Sequence, residues 1–558
     1  MAGLDLRSPD AIARAVNDAA GHYHQGRLDE ADRLCTRILK ASPDWFDALH
    51  LAGLVKLEAG KPAAAQVLLA KALKLKPASP QVLANLGRTL AALNRHDEAM
   101  ACLDKALALA PDSFDAINSR GNVLLSLDRA AEAVAAFERV LVLEPRFLGA
   151  RANLGNALVK LGRFAEALAH YDALLVAQPG HPETHFNRGN ALVSLGRIED
   201  AIATFDRALA LRPDYAKARI SRGVALAALN RHHDALREYA AVLAADKSNA
   251  DVRHNEALSL LTLGDFRRGF ENYEARWQRA GMPRRRSFGK PLWLGEYPLT
   301  RKTILVHAEQ GLGDTIQFAR YLPQLARAGA KVVLETQPAL VPLLSRLDGV
   351  STVVARGDAL PAYDVVCPAA SLPLAMRTEL STIPAPVPYL AADERRVATW
   401  RERIGHLPSP RIAVAWSGSA DHANDRNRSM ALAGLAPLFA AARGSVVSIQ
   451  RDLRDGDPEA LARLPNVTHV GDALADFDDT AAVMMLADLV IAVDTAVVHL
   501  AGALGRPVWV LLPFQPDWRW LLDRDDSPWY PTARLFRQPK PGDWESVIGQ
   551  VRDALAKL

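Results

Sequence analysis

Cysteine is scarce in this chain: Cys35, Cys102 and Cys367 are the three in 558 residues. They lie far apart with no Cys-x-x-Cys pair, which excludes a disulfide framework and a zinc ribbon and fits a reducing, cytoplasmic compartment. An excess of one charge is also missing. Lys and Arg number 67 against 63 Asp and Glu, a net charge of +4, so no nucleic-acid partner is expected. Long apolar runs are absent too. The longest, Ala481 to Val493, is broken by Asp488 and followed by Asp494, so no transmembrane segment is expected. The opening stretch carries Asp5 and Asp10 before any apolar run, and no secretory leader is expected. No Asp-x-Asp pair stands out for a divalent ion. Asp523 to Asp526 reads as a solvated loop, and neither a metal nor another bound cofactor is expected. What is present, 49% apolar and 23% charged residues, excludes a disordered or fibrous chain, and the length suggests several structural units.

The first half repeats itself every 34 residues. Pro43, Pro77, Pro111, Pro145, Pro179 and Pro213 form one series. A second is Gly26, Gly60, Asn94, Asp128, Gly162, Gly196, Asn230 and Gly264, residues that tolerate the left-handed backbone of a tight turn at a helix end. A third runs from Gly53, Gly87 and Gly121 through Gly155, Gly189 and Gly223 to Ala257. A fourth runs from Ala31 through Ala65, Ala99, Ala133, Ala167, Ala201 and Ala235 to Gly269. These small residues fall mid-helix, where they let two helices approach closely. Proline cannot continue a helix interior but suits a helix start, so the first series is expected to punctuate one hairpin from the next. Each unit is helix, turn, helix, turn. The pattern resembles the tetratricopeptide repeat, which implies an α-solenoid with a concave face over residues 1–280, in seven to eight repeats. The resemblance places Asn85, Asn153, Asn187 and Asn255, with Asn122, Asn156 and Asn190, toward that groove. Two readings stand side by side. An asparagine ladder holds an extended peptide by its backbone, since one side-chain amide both donates and accepts. Alternatively, the asparagines tie neighbouring hairpins together, and the solenoid serves as a scaffold or a homo-oligomer contact.

Helical periodicity stops after Trp277. Residues 281–300 read as a linker, with Arg284, Arg285 and Arg286 solvated. From Thr303 short β-branched runs alternate with helical stretches: Thr303–His307, Lys331–Leu334, Val353–Val354 and Asp364–Cys367, then Ile412–Trp416, Ser445–Gln450, Val467–Val470, Leu489–Val493 and Val508–Leu512. This predicts an α/β domain of two Rossmann-like lobes, 301–405 and 410–558, with parallel sheets and a ligand cleft at the strands' carboxyl ends.

In the first lobe Gly311 and Gly313 follow a strand and are expected to allow a tight turn into a helix near Asp314. A dinucleotide fingerprint, with Glu335 on a ribose, is discounted: Ile316 stands where the third glycine belongs, and Asp314 would face a pyrophosphate at the helix N-terminus. Asp314 is a general base in a cleft or a helix cap. In the second lobe a buried strand ends at Asp494 and Thr495, and a helix follows that closes at Gly505 and Pro507. Its first amides with Asp494 and Thr495 suit the ribose or diphosphate of a nucleotide sugar. His499 either supports that ligand from one turn in or packs in the core. The polar loop from Ser417 to Ser429 carries Arg426 and Arg428. No lysine occurs between Lys331 and Lys540, so a cationic clamp here is arginine.

The motifs Gly313–Asp314 and Val493–Gly505, with Trp293–Glu296 and His307–Tyr321, resemble glycosyltransferase family 9, the heptosyltransferase-like group, in bacterial proteins that join it to tetratricopeptide repeats. The resemblance covers about residues 300–555. It implies a GT-B fold with an acceptor lobe and a nucleotide-sugar lobe. Asp314 is then the catalytic base, and Asp494 and Thr495 contact the donor. The family's phosphate-holding lysine is replaced by arginine in the loop, and its role falls to Arg428. The reaction implied is an inverting, metal-independent sugar transfer to a protein or glycan acceptor selected by the repeats. Two alternatives stand beside it: a non-catalytic interaction scaffold, and a transferase of the protein O-GlcNAc type, whose catalytic-lobe sequence is not found here.

Overall fold

The structure, a computed structural model, describes residues 8–279, 281–282, 284–422 and 424–557. It divides into two compact units, Met1–Ser221 and Arg222–Leu558, the division falling within the Ala216–Ala228 helix.

The first unit is a solenoid of antiparallel helical hairpins, from Pro9–His24 with Leu28–Ala41 to Pro182–Ser194 with Ile198–Leu211. Its turn residues behave as their chemistry dictates. Gly26, Gly60, Gly162 and Gly196 have φ of 70 to 75°, and Asn94 and Asp128 have 59 and 60°. The mid-helix glycines each receive the side chain sixteen positions on. A Cβ on Gly53 or Gly87 would lie 2.6 or 2.7 Å from the Leu69 or Leu103 side chain. On Gly121, Gly155 and Gly189 it would lie 2.4 to 2.6 Å from the rings of Phe137, Tyr171 and Phe205. The alanine series is fully buried. Four of the outer helices open on an arginine whose guanidinium grips the acid three residues on: Arg95 with Glu98, Arg129 with Glu132, Arg163 with Glu166 and Arg197 with Asp200.

The prolines separate one hairpin from the next, acting at the end of the outer helix rather than at the start of the following one. Each follows the C-cap of an outer helix: Ser42 before Pro43, Lys76 before Pro77, Ala110 before Pro111. The six C-caps share φ near −132 to −140°. A proline ring clashes with a helical residue before it, so the proline stops the helix through its predecessor.

The second unit begins with the last repeat helices, His232–Ala245, Ala250–Thr262 and Phe266–Tyr273, and a 3-10 turn, Glu274–Gln278. These share one core with the α/β part. Phe266 and Phe270 meet the Trp518 ring edge-on at 6.0 and 5.6 Å, and Phe266 lies 5.7 Å from Trp529. Arg276 is buried, paired with Glu309 at 3.1 Å and donating to Ser371 Oγ at 2.7 Å.

Two parallel sheets follow. The first contains β1 (Thr303–His307), β2 (Lys331–Thr336), β3 (Val350–Ala355) and β4 (Val365–Pro368), ordered β3-β2-β1-β4. The second contains β5 (Arg411–Ala415), β6 (Ser445–Ser448), β7 (Val467–His469), β8 (Leu489–Val493), β9 (Val508–Leu512) and β10 (Ala533–Arg537), ordered β10-β9-β8-β5-β6-β7. In each sheet the order reverses beside its first strand, between β1 and β4 and between β5 and β8. Such a reversal opens a crevice at the carboxyl ends. Arg320 locks the two halves together: it donates to the Trp529 carbonyl at 2.7 Å and lies over the Tyr389 and Tyr530 rings. No helix among the described residues is long and apolar enough to cross a membrane.

Candidate functional site

The crevice between β5 and β8 opens into a cleft of about 720 Å3. Ser417 and Gly418 lie just past β5, Asp494 and Thr495 just past β8, and β5 and β8 are hydrogen-bonded neighbours. Thr495 is the N-cap of the Ala496–Ala503 helix, but its side chain does not cap it. Its Oγ1 is buried without a partner among the described residues, as are Ser417 Oγ and Arg428 Nε. Arg428 lies across the loop, donating to the Asp494 carbonyl at 3.0 Å, and it forms no ion pair among the described residues. Gly418 makes room for it: a Cβ there would stand 2.7 Å from Arg428 Nη2 and 3.2 Å from Thr495 Cγ2. Arg426 is exposed and does not line the cleft.

The Asp494 carboxyl is buried. Desolvation foremost, and then the charge of Asp517, push it well above the usual carboxylate range, against the pull of Trp520, Arg519 and Arg428. His499 is buried and neutral, held far below the imidazole range by burial and by Arg519. It pairs through Nδ1 with the Tyr530 hydroxyl at 3.0 Å and stacks on Trp520 at 5.7 Å. It packs against the cleft's floor.

The first lobe's turn works differently from the sequence reading. Neither Gly311 nor Gly313 takes a left-handed backbone. Gly311 is the extended N-cap of the Leu312–Phe318 helix. Gly313 lies inside that helix where it crosses the Ala496–Ala503 helix: a Cβ would fall 2.7 Å from His499 Cδ2 and 3.3 Å from Ala496 Cα. Close approach, not turn geometry, calls for glycine there. Asp314 both caps and lines the cleft. Its Oδ2 accepts from the Gly311 N–H at 2.8 Å, and Oδ1 is ion-paired with Arg519.

Arg519 escaped the sequence reading. It is buried, bound to Asp314, to Asp517 at 2.8 Å and to Gln317, with its guanidinium 4.4 Å from the Trp518 ring. The carboxyl-end rule applied to β9 would have found it, since Gln515 to Arg519 follow that strand into the cleft. The remaining wall comes from the last repeats, through Val224, His232, Asn255 and Leu258. Glu335, on the first sheet, is held by Arg286 at 2.7 Å; that arginine also covers the Phe288 ring, so it is not simply solvated.

The asparagines divide into two groups. Asn85 bonds His50 at 2.8 Å, Asn153 bonds Asn118 at 3.3 Å, and Asn187 bonds Asn156 at 3.1 Å, so these four link hairpin to hairpin. The side chains of Asn122, Asn190 and Asn255 make no such link among the described residues, and Asn255 lines the cleft. No group of three or more His, Cys, Asp or Glu placed to hold a metal occurs among the described residues.

Comparison with known proteins bears on the repeats. The tetratricopeptide repeat family matches residues 56–119, 118–182 and 186–252, so the hairpins are tetratricopeptide repeats. The chain is 29% identical over 323 residues to protein FlbA of Caulobacter vibrioides, covering 53% of this chain and 53% of that one. It thus spans about half the length of the curated relative it matches. Among solved structures, a tetratricopeptide repeat protein from Parabacteroides merdae is 16% identical, with a TM-score of 0.36, covering 45% of this chain and 98% of that one. YrrB, a repeat protein with an unusual peptide-binding site, is 22% identical, with a TM-score of 0.28, covering 33% and 95%.

Proposed function

We propose that the cleft binds a nucleotide-diphosphate sugar and transfers its sugar to an acceptor hydroxyl, by inversion and without a metal. The two sheets would then be the lobes of a GT-B-like transferase related to glycosyltransferase family 9. The observation that carries this reading is the anion-ready corner at the β5/β8 crevice: a helix N-terminus with no side-chain cap, beside an arginine with no ion pair. Unsatisfied helix amides and their dipole attract a diphosphate, and arginine adds bidentate donors. Thr495 Oγ1 and Ser417 Oγ, buried without partners, supply further hydroxyls.

In the step proposed, Asp314 takes the proton from the acceptor hydroxyl. The new C–O bond forms on the face opposite the diphosphate, which leaves with the bonding electrons. Arg428 and the Ala496–Ala503 helix offset its charge. The repeats present the acceptor.

One observation favours a second reading, a binding scaffold without turnover. Both Asp314 oxygens already accept a donor, from Arg519 and from Gly311, so as a base it must first leave Arg519. A thermal-shift panel of nucleoside diphosphates and nucleotide sugars separates the two. A ligand at 100 times its Kd should stabilise by about 2.7 kcal/mol. The transferase reading expects a shift with one nucleotide, lost in Asp494→Ala and Arg428→Ala. Asp314→Asn should keep the shift and lose transfer. No shift with any nucleotide would sink the donor site and leave the scaffold.

A further inference from the structure

Arg519 is one guanidinium shared by two carboxylates. Its backbone N–H and its Nη1 both donate to Asp517 Oδ1, at 3.0 and 2.8 Å. Its Nη2 is ion-paired with Asp314 Oδ1, and its Nε donates to Gln317 Oε1. The two carboxylates come from different sheets: Asp314 from the helix that follows β1, Asp517 from the segment that follows β9. We infer that Arg519 is a latch on Asp314, released when a diphosphate group enters the cleft and takes the guanidinium for itself. That the diphosphate belongs to a sugar donor, and that Asp314 is a base, rest on the proposed function; the competition for Arg519 is read by binding alone.

The two contacts are not equal. Asp517 and Arg519 are near neighbours in the chain, and two donors of Arg519 meet one oxygen of Asp517, so that pair closes a short ring and moves as a unit. The Asp314 contact rests on Nη2 alone and joins positions 205 apart in the sequence. It is the one that can open. Nη1 and Nη2 each keep a further N–H with no partner among the described residues, so the guanidinium has donors to offer a ligand. It also stands beside the anion-ready corner. Gly313, next to Asp314, packs on the first residue of the Ala496–Ala503 helix, where a Cβ would lie 3.3 Å from Ala496 Cα. The Asp494 carboxyl, raised foremost by burial, is drawn back by Arg519 as well as by Arg428. Two guanidinium charges therefore bear on that corner.

Charge decides the exchange. A diphosphate carries more charge than one carboxylate and takes an arginine through two oxygens at once. Asp314 meets Arg519 through Oδ1 only, because Oδ2 is held by the Gly311 N–H. A ligand moves such an equilibrium by the contacts it makes in one state and not in the other. The diphosphate gains Arg519 only when the latch is open, and Asp314 then keeps Gly311 and bares Oδ1. By the same linkage, whatever loosens Asp314 from Arg519 must tighten the ligand. An arginine beside a carboxylate also weakens it as a base, so the closed latch keeps Asp314 inactive until the diphosphate is in place.

The test is titration calorimetry on the full chain with ADP, GDP, UDP and CDP, each beside its parent nucleoside. For the diphosphate that binds, Asp314→Asn should tighten affinity about tenfold. In an Arg519→Gln chain the same Asp314→Asn change should alter affinity by less than about threefold, and the nucleosides should be indifferent to both substitutions. Where Arg519→Gln does not fold, Arg519→Lys takes its place. The charge stays, the planar fork is lost, and the gain from Asp314→Asn should again drop below about threefold. Equal tightening with and without Arg519 reports only the removal of a repelling charge, and overturns the latch while the donor site stands. An affinity that Asp314→Asn leaves unchanged or weaker does the same. If no diphosphate binds either the unsubstituted chain or Asp314→Asn, the donor reading and the latch fall together.

Discussion

A missing Cβ does the same job at each mid-helix glycine from Gly53 to Gly223: it admits a leucine, phenylalanine or tyrosine side chain from the partner helix. Gly121→Ala should therefore force the Phe137 ring aside and cost about 1–3 kcal/mol in a denaturant melt. Gly549, in the Trp544–Leu555 helix with nothing within 4 Å, is the control. There alanine should gain up to about 1 kcal/mol from helix propensity alone. Asp314 is the residue where two roles meet. Asp314→Asn removes one of the two carboxylates that hold buried Arg519, and should lower stability by roughly 1–3 kcal/mol whether or not the chain is an enzyme. Arg519→Gln separates the roles further: if Asp314 is a base, freeing it should shift the pH profile of transfer rather than abolish it.

At the scale of elements, buried histidines set the response to acid. His50, His232, His254, His307 and His499 are all held below the ordinary imidazole range, chiefly by burial, with His232 and His254 at about 4 and His307 at about 3. Between about 4 and 6.5 the folded chain binds fewer protons at these sites than the unfolded chain. Their contribution is full above 6.5 and lost as pH falls toward 4. Glu309, raised to about 7 by burial, and Asp494 and Glu256, also raised by burial, act in the opposite sense, their contribution fading as pH rises. The lowered histidines, with His170 and His422 among them, outnumber the raised carboxylates, so the melting temperature should fall on acidification from pH 6.5 to 4, and His307→Asn should flatten the fall.

Strands and turns were legible where one force decides them. Apolar β-branched runs made β1, β8 and β9 readable to the residue. β10 was missed because Ala533–Arg537 alternates with arginines and follows a proline, which reads as a loop. The crevice residues past β5 and β8 were legible because the carboxyl-end rule needs only the strand pattern. Arg519 and the repeat wall apart from Asn255 were not, because their place depends on packing between segments hundreds of residues apart.

The larger compact unit begins at Arg222, before the repeats end. Phe266 and Phe270 complete the core around Trp518 and Trp529, and Arg276 closes a buried network with Glu309 and Ser371. A chain starting at residue 301 would expose that aromatic cluster; deleting one such ring alone costs about 3–5 kcal/mol. It should express as aggregate, whereas one starting at residue 222 should melt cooperatively. Equal solubility and equal melting of the two fragments would contradict this.

The glycine and its partner sixteen residues on belong to one hairpin, so each hairpin brings both halves of its own joint. Duplication or loss of a whole hairpin upstream of residue 222 leaves every joint intact, and the array can change in copy number without redesign. The last hairpins are denied that freedom. A hairpin inserted between Arg222 and Phe266 would carry Phe266 and Phe270 away from their tryptophans, so the last repeats, unlike those before them, are fixed in number.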